Sequence, residues 1–411
     1  MPDERDDDTE GPSSQGFSSQ SEGESGSRSK SSQRSRKDVK VREGTPTLVE
    51  TISLCYIGIL LLRIPVTVAD IHDWLSAGTL LHYRAGRDVP LVMRERLPPR
   101  YQGLLEPQDL LQAEHLHHSI LSAAIGLNRD FGMALPPINT TLVLFQWIQH
   151  LALPLEIFAA TQRLGRMLDV DQSSYIALKG NRNVVLRYPE AQLMAVLVVA
   201  TKLLFPMDEV ERTPRQPTDL SALSFDWNMW RKLHEREAGD PEQLTFQEAF
   251  DFDESDCMSA ANQKLDSYLD WYEDNIATEE VREQVRSEQD AGFRRTLFQM
   301  FPTQPRRRKE ETSDPLTSSP LHALRDSHGA LFRERNVQTH DSKSVNRVGS
   351  FYPLYRSVEE LSGPAKTLFE KAAGRAGLSL EGLVQAVFLT ETKLQKFEDG
   401  LRRGVKTSRG R

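Results

Sequence analysis

The chain has 411 residues, with 51 Lys and Arg against 59 Asp and Glu, which gives a formal net charge of −8. This length corresponds to about two to three domains of ~150 residues. A chain with this charge is not a basic nucleic-acid binder as a whole, so any DNA contact must come from local basic patches. Hydrophobic residues make up 38% of the sequence, which predicts that polar segments dilute the globular parts.

The two cysteines, Cys55 and Cys257, are too few and too far apart for a disulfide framework or for a zinc ribbon, which needs paired ligands. The longest uncharged apolar run, Ile52 to Leu62, is far shorter than the ~20 residues of a membrane span. The N-terminal residues are acidic and Ser-rich, without the apolar core of a signal peptide. We therefore expect a soluble, intracellular protein without membrane contact.

Two segments have the composition of disordered chain. Residues 1–44 pass from an acidic start through a Ser-rich stretch to a basic stretch, and predict a tail. Residues 302–350 are rich in Pro, Ser and charge, and predict a basic linker. Its run from Arg306 to Lys309 indicates a nuclear-localising or DNA-attracting sequence, or alternatively plain linker.

The first apolar block begins at Thr45, a residue type that caps helices, followed by Pro46, which fits a first helical turn. Apolar side chains then continue nearly all round the helix to Leu62, a pattern typical of a buried central helix. Further helical patterns run over 67–78, where Thr67 and Asp70 predict a capping box, and over 89–96 and 107–125.

The second apolar block contains another helix of the same kind, which runs from Pro189 to Leu204. A helix capped by Asn139 and a helix opened by Pro154 precede it. Other helical patterns cover 227–237, 258–276, 358–373 and 380–397. No segment has the convincing two-residue alternation of a strand, so we predict an all-α fold.

The two apolar helices indicate an internal repeat. Segments 46–62 and 189–205 both begin with Pro, both have a small residue at the thirteenth position (Gly58 and Thr201), and both end in a bulky apolar triplet. A helix buried on all sides must be wrapped by other helices. Two such helices predict two similar α-helical bundles in tandem; the alternative is that any two buried helices look alike.

Six longer strings occur in a specific order: LCYIGILLLRIPVTVADIHDWL at 54–75, LPPRY at 97–101, DFGMALPPIN at 130–139, LALPLEI at 151–157, YPEAQLMAVLVVATKLLFP at 188–206 and LDWYE at 269–273. With them, the sequence resembles the TFIIB-related subunit of the RNA polymerase I core factor in its fungal form, which has tandem cyclin-like helical repeats. The resemblance covers 45–276 and, more weakly, 351–400.

The resemblance implies a non-enzymatic transcription initiation factor of the nucleus and nucleolus. Such a factor binds the ribosomal DNA (rDNA) core promoter with the other core-factor subunits and helps recruit and position RNA polymerase I; TATA-box-binding protein is a further partner to consider. The resemblance divides the chain into an N-terminal cyclin-like repeat at 45–131, a C-terminal one at 132–276 and a C-terminal helical segment at 351–400.

Two features depart from the family pattern. No CxxC pair is present for the family's N-terminal zinc ribbon, so we expect no cofactor. The predicted tail also stands where the first two helices of the first repeat belong, so we expect that repeat to be incomplete and its central helix to expose apolar surface. Either the start of the gene model is incorrect, or this is a divergent form without the ribbon.

The best nucleic-acid candidate is the basic loop that leads into the second apolar helix. Its cations are Lys179, Arg182 and Arg187. Lys and Arg supply the salt-dependent, sequence-independent part of DNA binding, and Asn181 and Asn183 can add hydrogen bonds to phosphate. The alternative is a solvated loop without contacts.

Two other sets of residues are candidates for contacts. Arg84 and Arg87 occupy a comparable place in the first repeat, where the alternative is surface charge. Trp271 and Tyr272 lie on an aromatic-rich helix. Core packing explains them first and a partner-protein face second, because Trp and Tyr are enriched at interfaces.

Catalytic and metal chemistry find little support in the sequence. His115, His117 and His118 share a predicted helix without another ligand type nearby, which favours packing and surface roles. The acidic cluster at 251–256 lacks the glycine and terminal Glu of a calcium loop and indicates a solvated turn. No phosphate loop, nucleophile elbow or kinase signature is present, so we expect no enzyme.

Three functions remain open at this stage. The first is the initiation factor that the resemblance implies. The second is a cyclin-like regulatory subunit of a protein kinase, which its binding partner would distinguish. The third is a helical scaffold without DNA contact, which charge reversal in the basic loop would test.

Overall fold

A computed structural model describes residues 47–83, 85–107, 110–170, 174–178, 180–181, 183–208, 223–237, 246–260, 262–276, 332–334 and 353–409, with isolated positions between 210 and 244 and at 300 and 346. The predicted tail of 1–44 and the run from Arg306 to Lys309 lie outside these residues. So do Thr45 and Pro46.

Helix α1 (Leu48–Leu61) begins two residues later than the sequence predicts. Its N-cap is Thr47, whose hydroxyl accepts a hydrogen bond from the Glu50 N–H, while the Glu50 carboxylate accepts one from the Thr47 N–H. This capping box satisfies two backbone donors at the helix start. The prediction of Thr45 as the cap is therefore wrong.

A first bundle forms around α1. The chain continues through α2 (Val68–Ser76), α3 (Leu91–Arg96), α4 (Pro99–Leu104) and α5 (Ala113–Phe131). The predicted capping box of Thr67 and Asp70 is confirmed at the start of α2. Helix α5 begins later and ends later than predicted; it packs along α1 and against α2, while α3 and α4 bury none of their residues.

A second bundle forms around the other apolar helix. It contains α6 (Thr140–His150), α7 (Glu156–Met167) and α9 (Pro189–Leu204), while the short helix α8 (Tyr175–Leu178) packs against α5. Pro189 is the first residue of α9, as predicted, because its fixed φ suits that position. Nearly every residue of α9 up to Lys202 is buried, since α6, α7 and more C-terminal helices surround it.

The remaining helices are α10 (Trp227–Glu237), α11 (Phe246–Phe250), α12 (Glu254–Ser259), α13 (Asn262–Asn275), α14 (Gly363–Ala376) and α15 (Leu380–Arg409). The single helix predicted over 258–276 is two helices, α12 and α13. Their break at Ala260 has an extended backbone.

The C-terminal pair α14 and α15 belongs to the second bundle. Helix α15 packs along α9, and α14 packs against both. The segment 351–400, which the sequence presents as a separate unit, thus packs against the central helix of the second bundle. Helices α2 and α14 contact each other, so the two bundles meet at these helices.

The expectation of no strand is wrong at one place. Strand β1 (Leu223–Phe225) pairs antiparallel with β2 (Phe332–Glu334), with Ser224 opposite Arg333. β2 lies within the segment 302–350, which the composition predicts to be disordered. Strands of three residues are too short for a two-residue alternation to be recognised. The described fold is otherwise helical.

Candidate nucleic-acid interface and the seam between the bundles

The basic loop before α9 is described in part. Lys179 and Arg182 lie outside the described residues. Arg187 ends a short 3-10 helix, Val185–Arg187, and is half-buried. Its Nε donates a hydrogen bond to the Asn181 carbonyl oxygen at 2.8 Å, so this guanidinium contributes to the shape of the loop.

The asparagines of the loop also have structural roles. The Asn181 amide donates to the Leu186 carbonyl at 2.7 Å, and the Asn183 side-chain oxygen accepts from the Val185 N–H at 3.0 Å. Gln192 of α9 donates to the same Leu186 carbonyl at 2.7 Å. Both asparagines therefore satisfy backbone groups of the loop, which need partners away from water, and their contact with phosphate stays a prediction.

The loop lies at the seam between the two bundles. The 3-10 helix packs against α9 and α15. At the start of α15, Ser379 donates through its backbone N–H to the Glu114 carboxylate of α5 at 2.8 Å, and its hydroxyl donates to the same oxygen. A carboxylate beside the N-terminus of a helix is stabilised by the helix dipole. Glu114 therefore connects α5 of the first bundle to α15 of the second.

The corresponding cations of the first bundle are only partly placed. Arg84 lies outside the described residues. Arg87 ends the 3-10 helix Ala85–Arg87, and only the backbone of Arg87 is described. The Gly86 N–H donates to the Leu105 carbonyl at 3.3 Å, which ties this turn to the end of α4. The structure does not bring these residues and the basic loop into a single cluster that can be described.

The two residues of the predicted partner-binding face differ in their exposure to solvent. Tyr272 is exposed, as is the neighbouring Leu269, whereas Trp271 is half-buried. Tyr268 stacks on Phe252 with ring centroids 4.6 Å apart and on Trp271 at 5.9 Å. Trp271 therefore contributes to an aromatic cluster that holds α13, while Tyr272 is available for contacts.

A buried carboxylate joins the bundles and was missed by the sequence analysis. Glu190, the second residue of α9, is 1% exposed. Its Oε1 accepts from the Tyr56 hydroxyl of α1 at 2.6 Å, and both carboxylate oxygens accept from the Val68 N–H at 3.1 and 3.2 Å. Burial raises the pKa of Glu190 to about 8, against the lowering effect of these hydrogen bonds. A charged residue at the second position of a largely apolar helix was the available signal.

A buried histidine makes a second connection. His117 of α5 is fully buried, its Nε2 lies 2.9 Å from the Ala376 carbonyl oxygen, and its ring stacks on Tyr188 with centroids 4.8 Å apart. Burial lowers the pKa of His117 to about 4, so the ring is neutral at physiological pH. The Ala376 carbonyl ends α14, and His117 thus links α5 to that helix end.

Gly377 sits at the same contact, and we predict that its replacement is costly. Its φ is 62°, and an added Cβ would lie 3.2 Å from the Ala113 Cβ and 3.4 Å from the His117 Nε2. Gly377→Ala should lower the free energy of unfolding by about 1–3 kcal/mol, measured by urea denaturation. Gly374→Ala is the matched control, since no atom in the described part of the chain lies within 4 Å of its added Cβ; equal destabilisation by both would contradict the prediction.

Among the described residues, no group of three or more His, Cys, Asp and Glu side chains is placed to hold a metal ion. His115 and His118 are exposed. The acidic cluster is exposed too, and Asp253 with Asp256 forms the capping box of α12. In the same part of the chain, none of the helices combines the length and the apolar character that a membrane crossing requires.

Two α-helical bundles, each arranged around one apolar helix, define a tandem cyclin-type protein, and comparisons with known proteins agree. Residues 2–91 match the N-terminal cyclin domain of Rrn7/TAF1B, and residues 109–276 match the C-terminal cyclin domain of Rrn7/TAF1B. The chain belongs to the Rrn7/TAF1B family. The first match begins within the segment that the composition predicts to be disordered.

Two relatives extend the comparison. The chain is 24% identical, over 253 residues, to "RNA polymerase I-specific transcription initiation factor rrn7" of Schizosaccharomyces pombe; the match covers 57% of this chain and 45% of the relative. The chain thus spans less than half the length of that protein. The crystal structure of S. cerevisiae core factor at 3.2 Å resolution matches with a TM-score of 0.53 and 14% identity, covering 88% of each chain, which supports the fold.

Proposed function

We propose that this chain is an RNA polymerase I-specific transcription initiation factor that acts in the nucleus, and in the nucleolus, as a core-factor subunit. The observation that carries this proposal is the match of two successive parts of the chain to the cyclin domains of one family. The name of the fission-yeast relative supports the same role. The proposed mechanism is positional and non-enzymatic: the protein binds the rDNA core promoter while its helical surfaces dock RNA polymerase I and other subunits.

The basic loop is the proposed DNA contact. Arg187, hydrogen-bonded within the loop, keeps the backbone in shape, and Lys179 and Arg182 supply charge to promoter phosphates. Arg84 and Arg87 are proposed to do the same from the first bundle. A chain with a net charge of −8 should bind DNA weakly alone and more strongly within its complex.

The aromatic helix α13 is the proposed protein-binding element. Tyr272 and Leu269 are exposed on it, and Trp271 belongs to the cluster beneath. Tyrosine and tryptophan contribute disproportionately to protein interfaces. We assign this surface to another core-factor subunit, to RNA polymerase I or to TATA-box-binding protein.

The function is tested by purifying a tagged chain from nuclear extract and identifying the co-purified proteins by mass spectrometry. Recovery of RNA polymerase I together with stoichiometric core-factor subunits supports the proposal. Recovery of a protein kinase without polymerase would replace it with the cyclin-like regulatory subunit. Recovery of neither would overturn it.

DNA binding within the purified complex gives a separate prediction. Lys179→Ala with Arg182→Ala should weaken promoter binding and reduce the slope of log affinity against log salt by about 2, because each phosphate contact contributes about 0.9. Reversing all three charges, by Lys179→Glu, Arg182→Glu and Arg187→Glu together, should weaken binding further. The binding is measured by fluorescence anisotropy over a salt series.

The matched control for the DNA contact is an equal charge change elsewhere. Lys366, Lys371 and Lys396 are exposed on α14 and α15, and their replacement by Glu changes the net charge as much as the triple reversal in the loop. If the control weakens DNA binding equally, the loop acts only through net charge. Unchanged binding in the loop variants would favour a helical scaffold without DNA contact.

A further inference from the structure

The two bundles share one apolar core. A single cluster of contacting buried side chains includes Ile57 of α1, Ile120 of α5, Val196 of α9 and Leu383 of α15. Separate domains that are joined by a linker each have a core of their own, and the interface between them is small and polar enough to allow relative motion. The continuity of this core through the seam therefore argues against independent motion of the two bundles.

The segment between the bundles, residues 132–139, is fastened to the chain that follows α1. The Arg63 guanidinium donates a hydrogen bond to the Pro137 carbonyl oxygen, and the Asn139 amide donates to the Arg63 carbonyl oxygen at 3.1 Å. Ile138, between these two partners, is buried. A hinge residue must be free to change its backbone angles. The contacts of this segment restrict that freedom, so it does not have the character of a hinge.

The buried Glu190 carboxylate binds two elements of the first bundle at once. It accepts hydrogen bonds from the Tyr56 hydroxyl of α1 and from the backbone N–H of Val68, the first residue of α2. Tyr175 of α8 packs edge-on against Tyr56, with ring centroids 6.4 Å apart. All four residues are buried. A rotation of one bundle against the other would break these hydrogen bonds in a region where water does not replace them.

The first turn of α2 also contacts the turn between α14 and α15. A Cβ added to Gly377 in that turn would lie 3.4 Å from the backbone nitrogen of Ala69 and 3.2 Å from the Cβ of Ala113, the first residue of α5. The Asp73 carboxylate and the Arg375 guanidinium lie 4.0 Å apart at the contact of α2 with α14. Helices in such close contact do not slide gradually, because a densely packed interior changes its arrangement only in discrete steps.

We propose that the two bundles form one rigid body whose relative orientation is already set in the free chain, with Glu190 as the residue that positions the first bundle on the second. Three attachments support this: the fastened segment 132–139, the Glu190 carboxylate and the turn that contains Gly377. A ligand that contacts both bundles then meets a preformed arrangement, and its binding requires no free energy to align them.

Distance measurements between spin labels test the proposal on the full chain. In a background of Cys55→Ser with Cys257→Ser, one label is placed at Ser122→Cys on α5 and the other at Ala159→Cys on α7, both at exposed residues. We expect one narrow distance distribution from double electron–electron resonance. The control pair, Ala159→Cys with the exposed Lys371→Cys on α14, lies within the second bundle and defines the width of a rigid pair. A broad or two-peaked distribution for the first pair beside a narrow control would overturn the proposal.

A second experiment tests the positioning role of Glu190. Glu190→Ala removes the acceptor for both Tyr56 and Val68, so we expect the distribution between the α5 and α7 labels to broaden while the control pair stays narrow. Loss of the whole fold would broaden both pairs, and Tyr56→Phe, which removes only one hydroxyl, then takes the place of Glu190→Ala. An unchanged distribution between the bundles in a variant with a narrow control pair would overturn the role of Glu190.

Discussion

Removing one partner of the buried Lys202–Glu391 ion pair is expected to lower the free energy of unfolding by about 3–5 kcal/mol. Lys202 lies near the end of α9 and Glu391 lies on α15, and their side chains are 4% and 0% exposed. Glu391→Ala would leave the Lys202 ammonium in an apolar environment without its counter-ion. Lys202→Ala would leave the carboxylate in the same position.

The surroundings of this pair explain the size of the effect. Burial is the main influence on both groups: it lowers the pKa of Lys202 and raises the pKa of Glu391, while their mutual attraction acts in the opposite direction. The Lys202 ammonium also lies 4.6 Å from the centre of the Tyr355 ring. Among the described residues, one Glu391 oxygen, Oε2, has no hydrogen-bond partner, so part of the desolvation cost of the pair is not offset there.

Urea denaturation followed by circular dichroism measures the effect. The double variant Lys202→Met with Glu391→Leu should recover most of the lost stability, because an apolar pair of similar volume replaces buried ions at little cost. The control is the exposed Lys366–Glu370 pair of α14, with charged atoms 3.9 Å apart; Lys366→Met should change stability by less than about 1 kcal/mol. Equal effects at the two pairs would contradict the prediction.

The second large effect concerns Glu190 and is expected as a loss of stability as the pH rises. The pKa of Glu190 is about 8 in the fold, against an ordinary value of 4.5. Between these values the folded state binds more protons than the unfolded chain. The free energy of unfolding therefore falls by about 1.4 kcal/mol per pH unit through this window.

His117 acts in the opposite direction over part of this range. Its pKa is about 4 in the fold, against an ordinary value of 6.5, so the unfolded chain binds more protons between these values. Its contribution to stability is therefore complete above pH 6.5 and is lost as the pH falls toward 4. The two effects oppose each other below pH 6.5, and only the loss from Glu190 continues above it.

Two variants separate these contributions. Glu190→Gln keeps the size of the side chain without its titration, and its stability relative to the wild type should grow as the pH rises toward 8. His117→Gln keeps a donor for the Ala376 carbonyl, and its stability relative to the wild type should grow as the pH falls below 6.5. Urea midpoints over a pH series measure both, and parallel profiles for the three proteins would contradict the prediction.

Comparison of sequence and structure separates local features from long-range ones. The capping box at α2 and the start of α9 at Pro189 were predictable, because both depend on residues within one helical turn. The start of α1 was misplaced although the sequence carries its signal: Thr47 has Glu50 three residues later, the spacing of a capping box, whereas Thr45 has Leu48 there. The hydrogen bonds of Asn181 and Asn183 within the loop were not predicted, because a backbone partner such as the Leu186 carbonyl has no sequence signature.

The sequence by itself determined the family, the helical class and the two apolar helices at the bundle centres. Helical periodicity, capping residues and ordered motifs all depend on residues that are close together in the sequence. Only the tertiary structure decided that α14 and α15 pack into the second bundle and that Glu190 and His117 join the bundles. These features arise from contacts between residues far apart in the chain. Burial, pKa and exposure depend on which helices surround a residue, and no local pattern encodes that choice.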